Sequence, residues 1–403
     1  MLKTLAKEQR FILFVLFFIN FFNYLDRQVI FPLFHDIKLE FGLTDFQLGL
    51  LGTVFMLVHS LASLPLGILA DKYSRKLIIS ISVAFWSIMT FTTGLARSFN
   101  QLLGARSLVG LGESGYAPAA TAMISDNFPQ SVRARAQGFF NIGMFTGGTL
   151  GAIIGGIIVY YLSNWRLAFF LVSLPGLLLA IFSLRMKDHR IVHPEEKRPL
   201  ALLFKNPAYN WIVVNAILST FAAAAFVAWG IEFVSRYKGY NLRDASLILG
   251  STLMVAGVLG IVLGSHLADY LQQKIAWGRS IVVGLSLMIS TPLMLLGFHG
   301  NRVSFIIFFF LGTMFLSFYH GPVIAVMHDV VPAHMRATSF SVYTILAHLL
   351  GSTFAPAVVG AISDRAGLIR GLEFSALLVF FAGLSFLAVS RLIAKGRVII
   401  HQD

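Results

Sequence analysis

The 403-residue chain is 57% hydrophobic and only 12% charged, about half the charged fraction of a typical soluble domain. Too little charge is available to cover a soluble surface, so the composition excludes an ordinary globular protein and favours one that faces lipid. The net charge of +13 is assigned to membrane topology, not to nucleic-acid binding, because Lys and Arg collect in cytoplasmic loops. The absence of Cys excludes disulfides, thiolate metal sites and cysteine nucleophiles.

Apolar stretches long enough to cross a bilayer, which takes about 20 residues, follow one another along the whole chain. In chain order we predict spanning helices over 11–34, 46–70, 77–96, 101–124, 134–162, 167–186, 208–234, 245–268, 280–298, 303–328, 337–362 and 372–394. The sequence therefore predicts an all-α polytopic membrane protein. Its predicted domains are an N-terminal six-helix bundle over 1–186, a cytoplasmic linker over 187–207, and a C-terminal six-helix bundle with a short tail over 208–403.

The distribution of Lys and Arg among the loops predicts the orientation. If the N-terminus is cytoplasmic, the inside loops carry about twice as many basic residues as the outside loops. Both termini are therefore expected on the cytoplasmic side. Short loops and the lack of an N-glycosylation sequon favour a bacterial cytoplasmic membrane.

The two predicted halves repeat each other. Leu69-Ala70-Asp71 recurs at 267–269, and the pattern D-x-x-P-x-x-x-R-A that begins at Asp126 recurs from Asp329. Both matches occur in the same order and at corresponding cytoplasmic loops. Parallel six-helix repeats are typical of transporters that work by alternating access.

Two strings carry a resemblance to a known family. Residues 67–76 (GILADKYSRK) resemble the loop signature of the major facilitator superfamily, G-x-L-a-D-r-x-G-R-K, although the second glycine is replaced. Residues 106–112 (RSLVGLG) resemble its fourth-helix signature, R-x-x-x-G-x-G. The resemblance extends over about 11–394, and it implies two pseudo-symmetric six-helix bundles and secondary transport.

Three strings narrow the resemblance to the spinster-type branch, whose better-known members move lysophospholipids and sphingosine phosphate. They are 23–27 (NYLDR), 106–118 (RSLVGLGESGYAP) and 165–169 (WRLAF). The organic-anion symporter branch shares NYLDR, so that string alone does not separate the branches. The stretches GESGYAPAA and DNFPQSVRARAQGFF favour the spinster type.

Charges in the middle of predicted spans are the main candidates for a functional site. Asp26 and Arg27 lie deep in the first span, where a charge costs several kcal/mol unless it faces protein or water. Adjacent helical residues point about 100° apart, so these two are expected to have different neighbours. Arg106 and Glu113 lie seven residues apart on one face of the fourth span and are expected to face a central cavity. The alternative is a static ion pair between helices.

Spinster-type transporters are thought to use a first-helix Asp and a fourth-helix Glu as proton carriers. By resemblance, proton coupling is assigned to Asp26 and Glu113, and a substrate or coupling charge to Arg27 and Arg106. Desolvation favours the neutral form of a carboxyl group, whereas a nearby guanidinium favours its charged form. Our hypothesis is that protonation of Asp26 or Glu113 releases Arg27 and permits the switch in access.

A second set of residues is expected at the cytoplasmic edge and along the cavity. The expected access-state latch comprises Gly67, Asp71, Arg75 and Lys76, with Asp269 as the repeat copy of Asp71; the alternative is plain topology-determining charge. The candidate cavity-lining residues are His59, Tyr116, Trp229, Glu232, Tyr319, His320 and Tyr343. The alternative for each lone histidine is a hydrogen-bonded packing contact.

No P-loop, HExxH or GxSxG motif occurs, so we expect neither an enzyme nor a metal or cofactor site. An ion gradient is then the expected energy source. The sequence predicts a monomeric, proton-coupled transporter of a lysophospholipid-like or other amphipathic molecule, whose partners are the substrate, protons and the bilayer. The alternatives are a transporter of small organic anions or drug-like molecules, and a receptor or scaffold without transport.

Overall fold

The computed structural model describes residues 6–188, 200–332 and 335–395. Within those ranges the chain forms helices joined by short turns, and no strand occurs there. The chain divides into two compact units. Unit 1 comprises Met1–Pro194 with Gly239–Gly250, and unit 2 comprises Glu195–Lys238 with Ser251–Asp403.

The helices of unit 1 alternate long membrane-length segments with short ones. They are α1 (Lys7–Val29), a 3-10 turn (Phe31–Leu33), α2 (Phe34–Phe41), α3 (Asp45–Lys72), α4 (Arg75–Gly94), α5 (Phe99–Ser114), α6 (Tyr116–Asn127), α7 (Gln130–Leu162) and α8 (Arg166–Ser183).

The helices that follow belong to unit 2, apart from the first residues of α11, which belong to unit 1. They are α9 (Ala201–Phe204), α10 (Pro207–Lys238), α11 (Leu242–Gln272), α12 (Gly278–His299), α13 (Arg302–Ser317), α14 (His320–Val330), α15 (Arg336–Leu346), a π-helical turn (Ala347–Ser352), α16 (Ala355–Ala366) and α17 (Leu368–Ala394).

All of the predicted spans fall on helix, and eleven helical segments of the described ranges are long and apolar enough to cross a membrane. The predicted span over 101–124 is different because it is divided into α5 and α6 at Gly115. Pro118 has no N–H to donate to the carbonyl of Ser114, and glycine is a weak helix former, so the sequence explains the interruption. The all-α polytopic fold is confirmed, and the divided helix carries Arg106 and Glu113.

The same interruption recurs in unit 2. Helix α13 ends at Ser317, α14 begins at His320, and Pro322 lies in the first turn of α14. Pro322 cannot donate a backbone hydrogen bond to Phe318. The two units therefore share a proline-associated break, in addition to the loop strings that repeat in the sequence.

Glycines on α7 bring α1 close to it. Gly143, Gly147 and Gly151 recur every four residues and so lie on one face of the helix. An added Cβ at Gly147 or Gly151 would collide with the carbonyl oxygen of Phe21 or Leu25, respectively. Backbone approach of this kind is what small residues permit in membrane helices. It fixes one side of α1 and leaves Asp26 and Arg27 on its other sides.

Each unit also has its own aromatic and aliphatic core. In unit 1, Trp86 of α4 packs edge-on against Tyr116 of α6, with ring centroids 5.2 Å apart, and both side chains are buried. In unit 2, Phe305 of α13 stacks on Phe309 at 5.2 Å and meets Phe233 of α10 at 5.7 Å. Aromatic pairs at these distances add to the stabilisation from buried area.

The α1–α7 contact generates a stability prediction. Gly147→Ala places a methyl group against the backbone of Phe21, so we expect it to lower the free energy of unfolding by about 1–3 kcal/mol. Gly148→Ala is the matched control, because its added Cβ would come no closer than 3.9 Å, to the Cγ of Gln28. Unfolding in mild detergent measures both variants, and equal stability of the two would contradict the close packing.

Candidate functional site

The four predicted charges come together inside unit 1 as two ion pairs. Arg27 Nε donates to Glu113 Oε2 at 2.6 Å, and their side chains are 13% and 0% exposed. Arg106 Nη1 lies 3.5 Å from Asp26 Oδ1, and their side chains are 1% and 2% exposed. Helix α1 supplies one charge of each sign and α5 supplies the other two, so both pairs join the same two helices.

The pairing follows from helical geometry. Because Asp26 and Arg27 are adjacent in α1, they point to different sides and meet different residues of α5. Asp26 also accepts a hydrogen bond from the hydroxyl of Thr90 on α4. On the other side, Arg27 Nη2 lies 2.7 Å from Nε2 of His59 on α3. The structure thus adds one residue from each of α3 and α4 to the four charges.

A single phenyl ring lies beside both arginines. The guanidinium carbon of Arg27 is 5.4 Å from the ring centroid of Phe55, and that of Arg106 is 4.8 Å from it. His59 is stacked over the same ring at 6.0 Å, and Tyr24 lies 4.8 Å from Arg27. The electron-rich face of an aromatic ring attracts a desolvated cation, so Phe55 stabilises both positive charges.

Some polar atoms of the cluster have no hydrogen-bond partner among the described residues. They are Oε1 of Glu113 and Nε of Arg106, and the polar atoms of the buried Asn23 side chain in α1 likewise have none. Each ion pair is therefore held by few contacts, and dehydration of the four charges is offset mainly by their mutual attraction. Each carboxylate is the direct counter-ion of one arginine.

The residues predicted for the cytoplasmic edge form separate ion pairs in each unit. In unit 1, the buried guanidinium of Arg75 contacts the carboxylate of Asp126. In unit 2, Arg279 contacts Asp269 at 2.8 Å and Asp329 at 3.2 Å. An arginine in the first turn of α4 and another in the first turn of α12 thus bind the acidic residues that open the two copies of the D-x-x-P string, Asp126 and Asp329 respectively. The exposed Asp269 belongs to the cluster of unit 2.

The other latch residues show less. The side chain of Asp71 lies outside the described residues. Gly67 faces α6, since an added Cβ would lie 3.6 Å from Pro118. Lys76 is half-buried, and its carbonyl oxygen accepts a hydrogen bond from Ser80 at 2.7 Å.

Two of the predicted cavity residues line a cavity within unit 2. Tyr319 and His320 stack at 4.2 Å and border a space of about 140 Å³. The remaining lining residues are mostly apolar: Ser219, Ala223, Phe226, Val227, Leu253, Met294, Phe309, Thr313, Leu316 and Ser317.

The other candidates have packing or pairing contacts. Trp229 is buried and donates its Nε1–H to the carbonyl of Pro356 at 2.9 Å. Glu232 is also buried and pairs with Arg236 one helical turn away at 2.5 Å. Tyr343 stacks on Phe340 at 6.3 Å. In unit 1, Tyr116 donates to the side-chain oxygen of the buried Asn20.

The WRLAF string has a structural position at one end of unit 1. Arg166 donates to both oxygens of Glu40 at 2.6 Å, and Trp165 Nε1 donates to the same carboxylate at 2.7 Å. Arg166 also donates to the carbonyl of Ala96 at 2.9 Å. Bidentate arginine–carboxylate pairs are strong and directional, so this contact joins α2, the end of α4 and the start of α8.

Sequence reasoning missed Phe55 and Thr90 as members of the site. Phe55 is one of 38 phenylalanines, and nothing in the sequence distinguishes it from lipid-facing ones. Thr90 lies in an apolar span, and its hydroxyl could equally donate to a carbonyl of its own helix. Within the described residues, no group of His, Asp and Glu could hold a metal ion.

Long apolar helices and a buried set of balanced charges are features of a membrane transporter. Residues 16–356 match the family profile described as Major Facilitator Superfamily, and the chain belongs to that superfamily of multi-pass integral membrane transporters.

Among curated proteins, the chain is 28% identical over 384 residues to Protein spinster of Drosophila melanogaster, with 90% of this chain and 63% of that protein covered. It is 28% identical to Protein spinster homolog 1 of Homo sapiens, with 92% and 77% covered. The chain thus spans less than two thirds of the fly relative. Spinster proteins are therefore its relatives within the superfamily.

Among solved structures, the fold is similar to that of a bacterial homolog of the human lysosomal transporter Spinster in an inward-facing and occupied conformation. The TM-score is 0.87, with 24% identity and coverage of 97% of this chain and 98% of that one. This likeness confirms the major facilitator fold.

The buried pairs predict a strong coupling between Asp26 and Arg106. Arg106→Gln leaves a carboxylate in a dry site without its cation, so the free energy of unfolding should fall by about 3–5 kcal/mol. Adding Asp26→Asn should recover part of that loss. The exposed Arg97 supplies the control, since Arg97→Gln should change stability by no more than about 0.5 kcal/mol.

A double-mutant cycle in mild detergent measures the coupling. If the effects of the two substitutions simply add, the two residues do not stabilise each other and the pair has no energetic meaning.

Proposed function

We propose that this chain is a proton-coupled secondary transporter that moves an amphipathic, lysophospholipid-like substrate by alternating access. The observation that carries the proposal is the pairing of a fully buried carboxylate, Glu113, with Arg27, the most exposed of the four charges. A carboxylate in such a place can take up a proton and lose its charge. The partly exposed arginine can then leave the carboxylate and bind an anionic group of a substrate.

The proton acts through the two ion pairs. Protonation of Glu113 removes the charge that holds Arg27, while protonation of Asp26 removes the charge opposite Arg106. Because Arg27 is 13% exposed and Arg106 is 1% exposed, Arg27 is the arginine that reaches an anionic group of the substrate. In one access state Arg27 binds Glu113, and in the other it binds the anion of the substrate. The substrate can shift the equilibrium between the two states only because it binds one of them more tightly.

Two features support an amphipathic substrate. The relatives in sequence are spinster proteins, and spinster-type transporters are associated with lysophospholipids. The cavity of unit 2 is lined mainly by apolar side chains, with His320 and Tyr319 as polar members. A mainly apolar cavity suits the apolar body of such a molecule.

A small organic anion is the second candidate substrate. Two arginines and His59 on adjoining helices favour it, since guanidinium groups bind carboxylates and phosphates. The acidic residues would instead suit drug-like molecules, which are tested in the same transport experiment. A receptor or scaffold without transport is disfavoured, because a scaffold has no need of four buried charges.

The remaining assignments belong to the same proposal. The transporter is a monomer in a bacterial inner membrane, with two six-helix bundles and both termini on the cytoplasmic side. Gly67, Asp71, Arg75 and Lys76, with Asp269, act as the access-state latch. The contacts of Arg75 with Asp126 and of Arg279 with Asp269 support this role, because each can break when its neighbouring helices move.

Flux in proteoliposomes tests the proposal. Asp26→Asn and Glu113→Gln remove an ionisable group and keep its shape, so each should reduce pH-gradient-driven uptake of a lysophospholipid at least about tenfold. Glu8→Gln is the control, because Glu8 is exposed and paired with Lys187, and it should transport like the wild type. The same vesicles are offered a panel of organic anions.

Gradient-driven uptake at the wild-type rate in both variants would refute proton coupling through these carboxylates. Preference for an organic anion over every lysophospholipid would replace the substrate class and leave the coupling in place.

A further inference from the structure

His59 has a contact that the proton-coupling scheme does not use. Its Nε2 lies 2.7 Å from Nη2 of Arg27. A guanidinium group has only donors and keeps its proton at any physiological pH. Nε2 must therefore accept the hydrogen bond, which makes His59 a neutral imidazole with its proton on Nδ1. This contact therefore requires the deprotonated form of the histidine.

The surrounding charges balance while His59 is neutral. Two positive and two negative side chains belong to the cluster, so their formal sum is zero. Arg27 is the charged group in direct contact with His59. The other titratable and charged groups around Arg27 and its cluster are Tyr24, Tyr116, Glu113, Asp26 and Arg106. A proton on His59 would give the cluster a net positive charge and place two cations in contact.

The rings of His59 and Phe55 are also positioned to stabilise a positive charge on His59. His59 is stacked over Phe55 at 6.0 Å with an angle of 25° between the planes, and Phe55 already lies beside both guanidinium groups. An aromatic face stabilises an imidazolium as it stabilises a guanidinium. His59 is half-buried and Arg27 is 13% exposed, whereas Glu113 is 0% exposed. His59 and Arg27 are therefore the open side of the cluster.

We propose that His59 and Arg27 form a two-cation site for the anionic group of the substrate, and that a proton on Nε2 of His59 creates this site. The proposal rests on the function proposed above and names a second proton acceptor and the chemistry of the head group. Protonation replaces the hydrogen bond from Arg27 by a repulsion, so both cations become available to one phosphate or carboxylate. An anion bound between them restores charge balance.

Binding to the purified full chain tests this site. The probes are a lysophospholipid and dimethyl phosphate, because a phosphodiester keeps one negative charge from about pH 5.5 to about pH 8, the range over which histidine titrates. For the wild type we expect the affinity for the lysophospholipid to be about tenfold higher at the acidic end. Binding of the lysophospholipid alone assigns the site to a lipid head group, whereas binding of both probes assigns it to phosphodiesters in general.

Two substitutions of opposite effect keep the test decisive if one variant folds poorly. His59→Gln retains an acceptor for Arg27 but takes no proton, so its affinity should stay at the alkaline wild-type level at both pH values. His59→Lys carries a permanent charge, so its affinity should equal the acidic wild-type level at both. The control is His266→Gln, since His266 is an exposed residue of α11 that contacts the carbonyl of Val262. It should keep the tenfold gain.

Protonation of Glu113 would also release Arg27, so the comparison is repeated on the Glu113→Gln background. The pH-dependent gain should persist there and disappear when His59→Gln is added. A full gain in His59→Gln, an unchanged gain in His59→Lys, or a wild type that binds neither probe overturns the two-cation site. Gradient-driven uptake by the wild type is measured on the same preparation, so the failure of His59 and the failure of proton-coupled transport give different results.

Discussion

Four charges buried in one apolar unit constrain the rest of the structure. A charge at membrane depth is costly, and the pairs Arg27–Glu113 and Arg106–Asp26 make the cost tolerable only while α1 and α5 keep their relative positions. The glycines of α7 hold α1 from one side, Thr90 of α4 donates to Asp26, and Phe55 of α3 stabilises both cations. Three further helices therefore serve the geometry of two ion pairs. The formal charges of the cluster balance, with two positive and two negative side chains.

The structure shows which carboxylate pairs with which arginine. The sequence left open which carboxylate pairs with Arg27, and the contacts show that it is Glu113, whereas Asp26 is opposite Arg106. The two arginines also differ in exposure, since the side chain of Arg27 is 13% exposed and that of Arg106 is 1% exposed. We infer that Glu113, Arg27 and His59 handle the proton and the substrate anion. In the same proposal, protonation of Asp26 acts on the enclosed Arg106, whose ion pair joins α1 to α5.

Much of the fold could be predicted from the sequence because apolar length alone determines a membrane span. The division at Gly115 follows from a glycine and a proline three residues apart, but a hydropathy pattern averages over such a break. The charged members of the site were also predictable, because charge is rare inside a span. Phe55 and Thr90 were not, since their residue types are common in membrane helices and only the fold brings them beside the arginines. The partner of His59 is likewise a tertiary contact between α3 and α1, which sequence spacing cannot reveal.

We propose that proton binding and substrate binding are coupled through the cluster, and reciprocity makes such a coupling directly measurable. If protonation releases Arg27 for the substrate, then substrate binding must in turn draw protons onto the protein. The decisive measurement is the pH change when a lysophospholipid is added to the purified chain in weakly buffered detergent solution. The account predicts net proton uptake of about one proton or less per molecule bound near neutral pH, and a smaller uptake in Glu113→Gln. Binding without any proton uptake between about pH 5.5 and pH 8 would contradict it.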